Sequence, residues 1–70
     1  MAGGLSLGAL RNGKRYFLIN FGERHDFEVE FIMANGDFRV KDLITLERFM
    51  LLDLIRYGKG PDFEIRELEE

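Results

Sequence analysis

Asp26-Phe27-Glu28-Val29-Glu30-Phe31-Ile32-Met33-Ala34-Asn35-Gly36-Asp37-Phe38-Arg39-Val40-Lys41 is the stretch that decides the fold. Apolar and charged residues alternate on both sides of Asn35-Gly36. Alternation with β-branched and aromatic residues marks half-buried strands. Asn-Gly is the pair best able to take positive φ twice, as a two-residue type I′ hairpin requires. The predicted register sets Ala34 opposite Asp37, Met33 opposite Phe38, Phe31 opposite Val40 and Glu30 opposite Lys41. Apolar then meets apolar on one face, and opposite charges meet on the other.

The pattern Asp, Phe, charge, β-branched, charge occurs three times, at residues 26–30, 37–41 and 62–66. The spacing is irregular, so each copy reads as a strand and not as a repeat unit. A second Asn-Gly pair, Asn12-Gly13, predicts another hairpin, with Leu7 opposite Leu18 and Ala9 opposite Tyr16. For Phe17, Ile19 and Phe21 to share a face with Phe27, Val29 and Phe31, the connecting loop must have an odd length. A different reading of residues 1–10 is an arm draped across the sheet over Tyr16 and Leu18.

Residues 45–57 change period. Thr45 can cap a helix, Glu47 suits its first turn, and Gly58, Gly60 and Pro61 stop it. The expected fold class is α+β: an antiparallel meander sheet of about four strands packed on one α-helix, with a short C-terminal strand. Four strands and then a helix resembles the order of the Whirly single-strand-binding fold, in topology alone; the strand after the helix departs from it. One domain spans residues 1–70, with 1–4 as an arm and 68–70 as a frayed tail. Seventy residues bury a marginal core.

Partner contacts are one way to support so small a core. On the expected helix, Phe49 and Leu52 fall within the polar arc of Thr45, Arg48, Asp53 and Arg56. On the expected outer sheet face, Leu5, Leu7, Ala9, Tyr16, Leu18 and Ile32 form an apolar patch. The expected protein interface is therefore Phe49, Leu52, Arg56, Leu7, Tyr16, Leu18 and Ile32. A homo-oligomer, a dimer first, is the simplest partner, alone or within a larger protein complex.

Composition narrows the chemistry. There is no cysteine and one histidine, His25, so no disulfide, thiolate site or multi-histidine metal site is expected. Ser6 and Thr45 are the sole hydroxyl nucleophiles of their types and lack a partnering base in sequence. No catalytic residue, metal or cofactor is assigned, and the chain reads as a non-enzyme. No apolar run approaches the ~20 residues of a membrane span, so the expectation is no membrane and a cytoplasmic location. Net charge is -3, but the first quarter is basic. Arg11, Lys14, Arg15, Tyr16 and Arg24 around Asn12-Gly13 compose the alternative site, a binder of single-stranded nucleic acid.

Overall fold

A computed structural model describes residues 4–68. The chain forms one five-stranded antiparallel sheet in the order β4-β3-β2-β1-β5. The strands are β1 Arg15–Asn20, β2 Glu23–Ile32, β3 Phe38–Asp42, β4 Arg48–Met50 and β5 Glu64–Glu67. Two short 3-10 turns, η1 Leu7–Ala9 and η2 Leu51–Ile55, are the helical segments among the described residues.

One sheet face carries Tyr16, Leu18, Phe27, Val29, Phe38, Val40 and Ile65, all buried. Leu10 and Leu51 close over them, with Leu7, Phe49, Leu54 and Phe63 packed around the margin. Tyr16 and Phe27 are register partners whose ring centroids lie 5.9 Å apart. A single sheet can bury only one face against its own chain unless a second layer covers the other. Here the covering layer is irregular backbone, and the opposite face stays open.

The expected α-helix is absent. Residues 45–57 divide into the β3–β4 turn, β4 and η2, so the fold is a sheet under two 3-10 turns and not a sheet on a helix. The reason begins at Asp42. Its carboxylate accepts the Ile44 and Thr45 N–H groups at 2.7 and 2.9 Å, and its carbonyl accepts the Leu46 N–H at 2.8 Å. This closes a tight turn and throws Leu46 to φ 66. Val40 then pairs with Phe49, continuing the sheet. Thr45 caps no helix; its hydroxyl accepts the Glu47 N–H at 3.3 Å within the turn. With no helix, the likeness in element order to the Whirly fold falls away.

Three registers also differ from expectation. The type I′ turn sits at Phe21-Gly22, where φ is 50 and 79, and joins β1 to β2 with Asn20 opposite Glu23. That connection is even in length, so Tyr16 and Leu18 face the core with Phe27, while Phe17 and Ile19 face outward. A one-residue change of connection inverts every side chain of a strand.

The Asn35-Gly36 hairpin is present with a longer tip. The Met33 N–H donates to the Asp37 carbonyl at 2.8 Å and the Gly36 N–H to the Met33 carbonyl at 3.0 Å. Gly36 alone is left-handed there, at φ 91, which gives a three-residue connection. Ile32 pairs with Phe38 and Phe31 with Arg39; past a bulge at Glu30, Val29 pairs with Val40.

Asn12-Gly13 makes no hairpin. Residues 5–10 run as an arm: the Leu5 N–H donates to the Ile65 carbonyl at 2.7 Å on the free edge of β5, and Leu10 enters the core.

Candidate functional site

The turn residues of β1–β2 and β3–β4 lie at one end of the sheet, because both hairpins reverse there. Phe21 and Leu46 occupy the left-handed positions of those turns. Large side chains are disfavoured in that conformation, where Gly or Asn fits at little cost. Both are also mostly exposed, 58% and 62% respectively. Ile44, in the same turn as Leu46, is 78% exposed, and Tyr57 is 86% exposed. Tyr57 belongs to this end because the next residue, Gly58, accepts a hydrogen bond from Asn20 at the end of β1.

The connection from η2 to β5 fixes the position of Phe21. Buried Asn20 donates through Nδ2 to the Leu54 and Gly58 carbonyls, both at 3.1 Å, and accepts the Gly60 N–H at 2.7 Å. Asp62 accepts the Phe21 N–H at 2.9 Å and the Gly22 N–H at 2.7 Å. Gly60 lies under the Phe21 ring, so close that a Cβ would stand 2.9 Å from Cδ1. The turn is therefore held by the Asp62 side chain and by the backbone that Asn20 reaches, all more than thirty residues away in sequence, and Phe21 is displayed from a braced base.

The open face is a lattice of charge. Arg15, Arg24, Arg39, Lys41, Arg48 and Arg66 stand among Asp26, Glu28, Glu30 and Glu64. Arg15 pairs with Glu28 at 3.2 Å, Arg24 with Asp26 at 2.8 Å, Arg48 with Glu30 at 3.0 Å, and Arg66 with Glu64. Arg24 also covers the Phe17 ring, with Cζ 4.2 Å from the centroid. Exposed pairs of this kind contribute little stability each.

The residues singled out from sequence are now dispersed. Tyr16 and Leu18 are core residues, so neither serves an interface, and Tyr16 cannot stack a base. The Tyr16 hydroxyl instead accepts the Arg11 N–H at 3.0 Å. Arg11 spends its guanidinium on the Gly8 and Leu10 carbonyls, both at 3.0 Å, and so fastens the arm. Lys14 pairs with Glu67 at 3.5 Å, on a different side from Arg15 and Arg24. Leu7 and Phe49 are half-buried against the core margin. Leu52 is half-buried, and its N–H donates to the Asp37 carboxylate at 3.1 Å. Arg56 is exposed and pairs with Asp53 at 3.5 Å; Ile32 is exposed at the far end of β2.

Phe21, Ile44, Leu46 and Tyr57 were not singled out from sequence. Exposure and backbone conformation mark them, and neither is visible in a residue pattern.

Among the described residues, no group of three or more His, Asp and Glu could hold a metal ion. His25 lies 3.6 Å from Glu23 on the margin of the core face. None of the described helices is long and apolar enough to cross a membrane. Comparison with protein-family models, curated proteins and solved structures finds no significant match to this chain.

Proposed function

We propose that this chain is a non-catalytic protein-interaction module that self-associates, as a symmetric dimer first, through the hairpin-turn end of its sheet. The observation behind this reading is the pair Phe21 and Leu46. Each combines an unfavourable backbone conformation with a large apolar side chain left in water. Neither local chemistry nor packing favours leucine at position 46, and turn residues such as Gly or Asn would be more stable there. Local choices that oppose the fold tend to fall at functional sites.

Ile44 and Tyr57 add two more exposed apolar side chains at the same end of the sheet. Clustered apolar exposure marks association surfaces, whereas scattered single residues do not. A specific interface takes about 800 Å² from each partner. That is about one sixth of the 4847 Å² surface of this chain. Cyclic two-fold pairing is the commonest arrangement, and it needs just one such patch per chain.

Sedimentation equilibrium of the intact chain tests the reading. A dimer that Ile44→Asp with Leu46→Asp converts to a folded monomer supports it. A monomer at every concentration, for wild type and variant alike, overturns it.

A further inference from the structure

The bulge at Glu30 has a specific effect on Phe31. Strict alternation along β2 would send Phe27, Val29 and Phe31 to the same side. The extra residue instead leaves both Glu30 and Phe31 on the open face, Glu30 reaching Arg48 and Phe31 lying opposite Arg39. Bulges commonly re-aim a side chain in this way beside functional sites. Phe31 is 56% exposed on a largely charged surface. Arg24 covers Phe17, but no cation among the described residues covers Phe31.

The cations beside it are also unusual. On β3, Lys41 stands between Arg48 of β4 and Glu28 of β2, which itself pairs with Arg15, and Arg39 is two positions along the same face. Like charges facing each other across strands are destabilising. Among the described residues, neither Arg39 nor Lys41 has a carboxylate within ion-pairing distance. Met50 closes the row on the other side of Arg39.

From this juxtaposition of an uncovered ring and two cations that hold no ion pair among the described residues we infer that the β2–β3–β4 part of the open face binds a single-stranded polynucleotide. A base stacks on Phe31, and Arg39 and Lys41 meet the adjacent phosphates. Rings supply sequence-tolerant stacking and cations follow the backbone in such sites. The surface adjoins the β3–β4 turn at Lys41, but its ring and cations lie on the open face and the inference does not rest on self-association. It replaces the dispersed set around Asn12-Gly13, from which Tyr16 is removed by burial and Arg11 by its hold on the arm.

Fluorescence anisotropy of end-labelled oligo-dT and oligo-U, titrated with the intact chain at low and moderate salt, tests the inference. Binding is expected to weaken as salt rises, with a logarithmic slope of roughly -1.4 for two neutralised phosphates. Phe31→Leu keeps an apolar side chain but removes the ring, and is expected to weaken binding about ten-fold. Phe31→Tyr restores binding. Arg39→Ala with Lys41→Ala removes the salt dependence. Ile44→Asp leaves binding unchanged, which separates this surface from the proposed dimer. Preference for one of the two oligomers tells DNA from RNA as the source. Equal affinity for duplex DNA, unaltered binding by Phe31→Leu with its fold intact by circular dichroism, or no binding to either oligomer overturns the inference.

Discussion

Asn20 Oδ1 accepts the Gly60 N–H at 2.7 Å, joining the end of β1 to the connection that leads into β5. The same side chain serves two carbonyls through Nδ2, so one buried amide supplies three bonds to η2 and the connection that follows it. Asn20→Ala is expected to cost about 3 kcal/mol, since three backbone groups lose their partner at once. Asn20→Asp fits the same space but sets a carboxylate against two carbonyls. Its deficit relative to Asn20→Ala should widen as pH rises from about 4 to 7, where the new carboxyl ionises. Urea unfolding at the two pH values measures both effects.

Leu46 and Leu51 are five residues apart and should respond oppositely to truncation. Leu51→Ala opens a cavity in the core and is expected to cost about 3 kcal/mol. Leu46→Gly removes a left-handed strain and an exposed side chain. The relief is offset in part by the freer unfolded chain, so the net change lies between zero and a gain of about 1 kcal/mol. Thermal or urea unfolding reads the contrast, and the dimerisation constant should fall in the Leu46 variant alone.

Asp42 gives the fold an acid-sensitive joint. The Thr45 and Ile44 N–H groups hold its carboxyl below the usual range. The folded chain therefore binds this proton less readily than the unfolded chain. Stability from the cap is complete at neutral pH and is lost as pH falls below about 4 through the lowered folded value. Asp42→Ala should be less stable at pH 7, and its unfolding curve should flatten in the acid range where wild type declines. Denaturation midpoints across pH 2–7 compare the two slopes.

Gly4 lies so close to β5 that a Cβ would meet the Ile65 amide nitrogen at 2.7 Å and its carbonyl oxygen at 2.9 Å. Both obstacles are backbone, so Gly4→Ala should lift the arm from the strand edge. Amide hydrogen exchange is the measurement: Leu5 protection is expected to fall, while Leu18, deep in the sheet, keeps its own. Unchanged exchange at Leu5 would show that the arm accommodates the methyl group.

The sequence made most strands legible and the faces only partly so. Phe27, Val29, Phe38, Val40 and Ile65 read correctly as inward because alternation alone assigns them. Tyr16 and Leu18 read as outward because their side depended on the length of one connection. Phe takes a left-handed position in that connection against its own preference, with Asp62 bonding both turn N–H groups. A bond from a residue forty positions away lies beyond any local pattern. The helix expected at residues 45–57 failed for a related reason. Leucine-rich segments satisfy helical and extended periods alike, and pairing with β3 decided for extension at Phe49. The outward turn of Phe31 required knowing that a bulge stands at Glu30.

The sheet is completed by its first and last strands, Tyr16 lying opposite Glu67 and Ile19 opposite Glu64. A ribosome synthesising this chain therefore releases this partner of β1 after the other four strands of the sheet. Until then Leu18 lacks its neighbour Ile65, and Asn20 lacks the Gly60 amide. Stable folding of the sheet must wait for β5 to emerge, and a nascent chain halted before Glu64 would display an unpaired apolar strand to chaperones and proteases.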